Sequence, residues 1–175
     1  MVNIALVGCN GKMGKAVTSA VQSRNDCEIV FGADPFGTPA YDYPVFESLA
    51  VSDKKADVII DFSNPASLDD ILAYALEKKI PCVLCTTGYS PEQVEKIKKA
   101  SESVAVFYSG NMSLGINLLI ELSKEAAKIL GAADFDIEIV EKHHNQKIDA
   151  PSGTALMIAD GISDTLAEEP QYVYD

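Results

Sequence analysis

Two histidines, His143 and His144, stand side by side and are the only ones in the 175 residues. Four positions after the first comes Lys147, followed by Asp149, Pro151 and a small-residue turn, Ser152-Gly153-Thr154-Ala155, that suits the opening of a helix. Imidazoles that titrate near neutrality, an ammonium group and free helix N–H groups can together exchange protons and hold an anion within one short segment. On a regular strand the two rings would face opposite sides. Both can serve one site only if the chain bends there or if each has a different duty. Adjacent histidines are poorly placed to share a metal ion, and no third ligand has suitable spacing, so no metal is expected. Ser152 reads as a helix N-cap rather than as a nucleophile.

A second constellation lies at the other end of the chain. Gly8-Cys9-Asn10-Gly11-Lys12-Met13-Gly14 follows an apolar run, Val2–Val7, and leads into a helical pattern. It is a G-x-x-G-x-x-G variant of the dinucleotide fingerprint. Glycines let the backbone turn tightly and approach a pyrophosphate, and the helix N-terminus offers unpaired N–H groups. Asp34 lies 20 residues beyond Gly14 at the end of the next apolar run, where an acid would bind a ribose 2′-hydroxyl. That carboxylate opposes the 2′-phosphate of NADP, and no arginine follows it, although Lys12 offers partial compensation. NADH is therefore expected to be favoured and NADPH tolerated. Two further loops, Cys85-Thr86-Thr87-Gly88 and Ser109-Gly110-Asn111-Met112, follow apolar runs and carry groups able to hydrogen-bond a nucleotide. Phe62 can pack on such a cofactor or belong to the core.

These loops need elements to position them. Short apolar runs alternate with helical ones, as in βαβ units around a parallel sheet. Strands are expected at Val2–Val7, Cys27–Gly32, Asp57–Phe62, Pro81–Cys85 and Val104–Tyr108, each nearly continuous in Val, Ile or Phe, as strands buried on both faces are. Helices are expected over Gly11–Ser23, Pro65–Lys79, Pro91–Ser103, Ser113–Leu130 and Thr154–Leu166, several opening on proline after a capping residue. The proline-rich stretch Asp34–Pro44 and the final residues from Ala167 read as loops. Phe135, Ile137 and Ile139 alternate with acids, which predicts a half-exposed strand. The expected architecture is α/β. A Rossmann-type, doubly wound parallel sheet over residues 1–131 binds the dinucleotide, followed over 132–175 by a second segment of one strand and one helix.

Composition narrows the field further. Formal net charge is −12, and the 14 basic residues form no dense patch, which argues against nucleic acid as a partner. No apolar run reaches the roughly 18 to 20 residues of a membrane span. The N-terminus lacks the basic segment of a signal peptide. Cys82 and Cys85 sit inside an apolar run rather than at the start of a helix, so the four cysteines suggest a reduced, cytoplasmic protein.

The run from Glu138 to Ala155, with its His-His-x-x-Lys-x-Asp-Ala-Pro-Ser-Gly-Thr-Ala core, resembles the signature of the 4-hydroxy-tetrahydrodipicolinate reductase (dihydrodipicolinate reductase) family of lysine and diaminopimelate biosynthesis. The glycine loop and the two later loops fall where that family places its nucleotide-binding segments. The resemblance implies an oxidoreductase that reduces a cyclic, imine-bearing dicarboxylate with NADH or NADPH. It implies that His143 and Lys147 transfer protons, that His144 binds substrate, and that the N–H groups of Gly153 and Thr154 hold a substrate carboxylate. It further implies nucleotide contacts from Gly8, Cys9, Asn10, Gly11, Lys12, Met13, Asp34, Cys85, Thr86, Thr87, Ser109, Gly110, Asn111 and Met112. It makes residues 132–175 part of an α+β substrate-binding and oligomerisation domain, because the family continues past the equivalent of Asp175 with strands that complete that domain and build a homotetramer. The chain as given is thus expected to be a fragment or a short member. The alternative reading is a truncated module of the same family that binds the nucleotide without turnover.

Overall fold

The computed structural model describes residues 1–36, 41–133, 135–143, 145, 150–168 and 170–174. Its first compact unit, Met1–Ser109, is built on six strands: β1 (Val2–Val7), β2 (Cys27–Ala33), β3 (Val45–Phe46), β4 (Val58–Asp61), β5 (Cys82–Leu84) and β6 (Val106–Tyr108). All pair in parallel, in the order β3-β2-β1-β4-β5-β6. This is the dinucleotide-binding order, in which the direction of winding reverses beside β1. Five of the strands match the sequence reading to within two residues. The sixth, β3, was not expected. It is a two-residue edge strand at the end of the proline-rich loop, with Gly32 opposite Val45 and Ala33 opposite Phe46.

Successive residues of β1 serve different layers, as the period of a strand requires. Ile4 and Leu6 join Cys9 and Ile29 in one buried cluster, covered by Val17 and Val21 of α1 (Lys12–Gln22) and by Tyr41 and Tyr43. Ala5 and Val7 join a larger cluster on the other face with Phe31, Ile59 and Leu84. That face is covered by α2 (Leu68–Lys78), through Leu68, Ile71, Leu72 and Ala75, and by α3 (Pro91–Ser101), through Ile97 and Ala100. The sheet is therefore doubly wound.

The helix starts follow the sequence cues. At α3 the Ser90 side chain accepts from the Gln93 N–H, while Gln93 Oε1 accepts from the Ser90 N–H, a reciprocal cap with Pro91 in the first turn. The Gln93 side chain also donates from Nε2 to the Pro65 carbonyl at 2.7 Å, tying α3 to the loop after β4. The expected helix from Pro65 is divided. A 3₁₀ turn, Pro65–Ser67, capped by Asn64, precedes α2.

The second unit, Gly110–Asp175, contains α4 (Leu114–Gly131) and α5 (Gly153–Ser163). Gly161 of α5 packs so closely on α4 that a Cβ there would lie 2.9 Å from Ile120 Cγ2. The division between units falls before α4, where the sequence analysis placed it after residue 131. One expectation is corrected. Phe135, Ile137 and Ile139 alternate as a strand would, yet residues 135–143 form no strand and these three side chains are exposed. Alternation makes a segment suitable for a sheet, but a strand also needs a neighbour for its hydrogen-bond ladder, and no described segment supplies one. Among the described residues no helix is long and apolar enough to cross a membrane.

Phe31 is wholly buried at the centre of the larger cluster, its ring edge-on to Phe46 at 6.0 Å. Phe31→Ala removes that volume from both the sheet face and its contact to β3. We expect a loss of roughly 3–5 kcal/mol in unfolding free energy, measured by urea titration with an unchanged slope. A loss below about 1 kcal/mol would show that the interior closes over the gap.

Candidate active site

Parallel strands deliver the loops after β1, β2 and β4 to one edge of the sheet, and there they surround a cleft of about 560 Å³. Gly8, Asn10 and Gly11 form one wall, Asp34 and Phe36 another, and Phe62 with Ser63 and Asn64 a third. Gly8 leaves β1 with φ +75°, and a Cβ on it would lie 2.5 Å from the Phe62 carbonyl oxygen. A Cβ on Gly14 would run into the backbone of Gly8 and Cys9. These two glycines are what allow the loop to fold flat over the end of the sheet.

Asp34 is fastened to this loop. Its Oδ2 accepts from the Asn10 N–H and its Oδ1 from the Phe36 N–H, both at 2.9 Å. Asn10 returns a bond from Nδ2 to the Phe36 carbonyl at 2.5 Å. Each carboxylate oxygen keeps further lone-pair capacity for a ribose hydroxyl. Glu47 and Asp70 add two more carboxyl groups to the cleft, and among the described residues no lysine or arginine lines it. Lys12 and Met13 occupy the exposed first turn of α1, outside those walls. Cys9 is buried beneath the loop and close to Gly32, and burial, with the charge of Asp34 adding to it, pushes its thiol up to about 11. Its backbone contributes to the loop, while its thiol has no part in the cleft.

The loops after β4 and β5 are held together by a residue the sequence analysis passed over. Asp61 is fully buried. Its Oδ1 accepts from the Ser63 N–H at 2.9 Å and from Ser63 Oγ at 2.5 Å, and its Oδ2 from the Tyr89 hydroxyl at 3.1 Å. A buried carboxylate is tolerable only when paired in this way. Beside it lies the predicted Cys85–Thr87 segment. Among the described residues the buried Thr86 Oγ1 has no hydrogen-bond partner of normal geometry, and Thr87 is exposed. Such an unsatisfied hydroxyl fits a site that takes a polar ligand. Burial, together with the nearby charge of Asp61, pushes the Cys82 and Cys85 thiols up to about 11. Thiolates are disfavoured there, and no group of residues suited to a metal ion occurs among the described residues. Ser109 is the last residue of the first unit, its N–H donating to Leu84. In the second unit Asn111 Oδ1 accepts from the Ser113 N–H, fixing the turn that opens α4, and Met112 is exposed.

The second unit carries the histidine segment. His143 is partly exposed, and its Nε2 lies 2.6 Å from Glu141 Oε2. The other Glu141 oxygen, Oε1, accepts from the Ser152 N–H at 2.8 Å. Ser152 caps α5 as expected, its hydroxyl accepting from the Ala155 N–H at 3.0 Å. Helix geometry leaves the N–H groups of Gly153 and Thr154 without acceptors in the helix. Glu141 thus joins the imidazole to the start of α5. His144 and Lys147 lie outside the described residues.

Family profiles describe the same two parts. One for the dihydrodipicolinate reductase N-terminus matches residues 2–112, and one for its C-terminus matches residues 115–172. The chain is 52% identical over 174 residues to a 4-hydroxy-tetrahydrodipicolinate reductase of Clostridium tetani, covering 99% of this chain and 68% of that protein.

The chain belongs to the dihydrodipicolinate reductase family.

A reductase of the same name from Caldanaerobacter subterraneus is 49% identical, again over 99% of this chain and 68% of its own length. A dipicolinate-bound dihydrodipicolinate reductase from Paenisporosarcina superposes with a TM-score of 0.74 at 30% identity, covering 99% of this chain and 69% of that one. A dehydrogenase from Chromobacterium violaceum, at 17% identity and a TM-score of 0.56 over 73% of this chain and 41% of its own, shares the fold. The family is one of oxidoreductases that reduce 4-hydroxy-tetrahydrodipicolinate in lysine biosynthesis with a pyridine nucleotide, and this chain is an enzyme of that class.

The Glu141 carboxyl is held down to about 2, first by its hydrogen bond with His143 and then by those from Ser152. Its folded value lies below the ordinary 4.5. The stabilisation is therefore complete above pH 4.5 and is lost as pH falls from there through about 2. Glu141→Gln should flatten the fall of thermal midpoint across that window. Identical acid slopes in the two proteins would show that the carboxylate contributes nothing there.

Proposed function

We propose that this chain reduces 4-hydroxy-tetrahydrodipicolinate with NADH in preference to NADPH, and that His143 and Lys147 are its proton-transfer groups. The observation that carries the reading is the joining of His143, through Glu141, to the turn whose Gly153 and Thr154 N–H groups have no acceptor within the helix. That turn offers two adjacent donors and the positive end of a helix, suited to one carboxylate of a cyclic dicarboxylate. Dipicolinate, bound in the Paenisporosarcina relative, is a compound of this class. The four free cysteines support the reducing, cytoplasmic setting expected for such an enzyme.

A bound nicotinamide supplies the hydride. Gly8 to Met13 and Asp34 would hold the nucleotide, the glycines by letting it approach the loop and Asp34 by its carboxylate, and Cys85, Thr86 and Thr87 would add contacts from the loop after β5. Ser109 to Met112 complete the nucleotide contacts that the family implies, and His144 adds a substrate contact. Reduction of the conjugated imine leaves an electron pair on the substrate that must take a proton. His143 gives it, and Lys147 is the second group able to exchange one. A positioned acid of this kind contributes roughly 10²–10⁴-fold.

NADH is favoured because three carboxyl groups, Asp34, Glu47 and Asp70, line the cleft with no cation beside them among the described residues. A 2′-phosphate there would meet like charge.

Two measurements test these assignments. Lys147→Ala should lower turnover by roughly 100-fold or more while leaving the thermal midpoint within a degree or so. An unchanged turnover would remove Lys147 from the mechanism, and NADH binding without turnover in the unaltered chain would leave it a nucleotide-binding module. For the cofactor, Asp34→Ala should weaken NADH more than NADPH in a fluorescence titration, moving the preference toward NADPH. Several-fold tighter binding of NADPH by the unaltered chain would show that Lys12 outweighs the carboxylates.

A further inference from the structure

We propose that Glu141 is a positioning residue for the reduction, fixing the tautomer of His143 so that Nδ1 is the atom that gives up the proton. The inference rests on His143 being the proton donor and adds how its ring is held. Glu141 uses both oxygens, Oε2 on His143 Nε2 at 2.6 Å and Oε1 on the Ser152 N–H at 2.8 Å. A carboxylate that is ionised at neutral pH accepts hydrogen bonds only, and this one is held ionised down to about 2. The ring nitrogen facing it must therefore carry a hydrogen. The neutral ring is then the Nε2–H form, with its lone pair on Nδ1. In the proton step the Nδ1–H bond of the imidazolium breaks, its electron pair stays on Nδ1, and the proton bonds to the substrate. The Nε2–H bond to Glu141 is kept throughout, so the charge the ring carries before the transfer is matched by a carboxylate at its far edge. The second oxygen gives the arrangement its register. Because it holds the N–H of the residue preceding Gly153 and Thr154, the ring and the proposed carboxylate-binding N–H groups are referred to one rigid group.

The test is made on the whole 175-residue chain and does not depend on activity alone. Imidazole ¹⁵N shifts separate the two tautomers of a neutral histidine, and with only two histidines in the chain, His143→Gln assigns the signal. We expect the neutral His143 ring of the unaltered protein to be in the Nε2–H form. In Glu141→Gln, where the amide can donate as well as accept, the two forms should mix. The same variant should lose roughly 10- to 100-fold in kcat, part of the contribution of a positioned acid, with the KM for NADH unchanged. An Nδ1–H tautomer in the unaltered protein overturns the proposal without any variant having to fold. So does a Glu141→Gln protein with unaltered tautomer and kcat. If His143→Gln keeps full turnover, it is the assignment of His143 as proton donor that fails. If His143 is required and Glu141 is not, only the present inference falls.

Discussion

At Gly8 the chain leaves β1 so close to the start of the β4 loop that a Cβ would lie 2.5 Å from the Phe62 carbonyl oxygen. The hydrogen bonds around that point explain the closeness. The Gly8 N–H donates to Ala33 of β2, the Phe62 N–H to Val7 of β1, and the Gly11 N–H back to Gly8. Three strand ends are thereby drawn together over a space too small for any side chain. The walls of the cleft, the placing of Asp34 beside Asn10 and the start of α1 follow from this one approach of backbone to backbone.

Charge is managed differently in the two halves. In the first, the buried Asp61 is satisfied by Ser63 and Tyr89 and acts as a tie between loops, while Asp34, Glu47 and Asp70 face the cleft and set what charge it accepts. In the second, Glu141 lies near the surface and shares its two oxygens between an imidazole and a backbone N–H. A surface pair of this sort adds little to stability. Its value lies in direction, since it fixes where a ring points relative to a helix start.

The framework was legible wherever one local rule governed it. Strands buried on both faces declared themselves as unbroken apolar runs, and Ser90-Pro91 and Ser113 announced their helices by capping chemistry. The glycine loop and Asp34 could be placed because their spacing is itself the signal. The rest depended on contacts that sequence distance hides. Asp61 and Tyr89 are 28 residues apart, and nothing in either neighbourhood points to the other. Glu141 stands only two residues before His143, and the signal that an acid there could reach the ring was available but passed over. The strand β3 was hidden by its length, two residues at the end of a proline-rich loop. The alternation of Phe135, Ile137 and Ile139 was real, but pattern reports suitability for a sheet and not the presence of a neighbour.

Gln93 belongs at once to the cap of α3 and to the tie that reaches Pro65. Glutamate serves the cap equally well in an isolated helix, because it too offers an oxygen to the Ser90 N–H. It cannot donate to a carbonyl, and its charge would face the Pro65 oxygen. A peptide of α3 would therefore rate the two residues as equivalents, whereas the folded chain would not. At this position helix propensity and tertiary fit cannot be varied independently, and a substitution conservative by every local measure would loosen the loop that forms one wall of the nucleotide cleft.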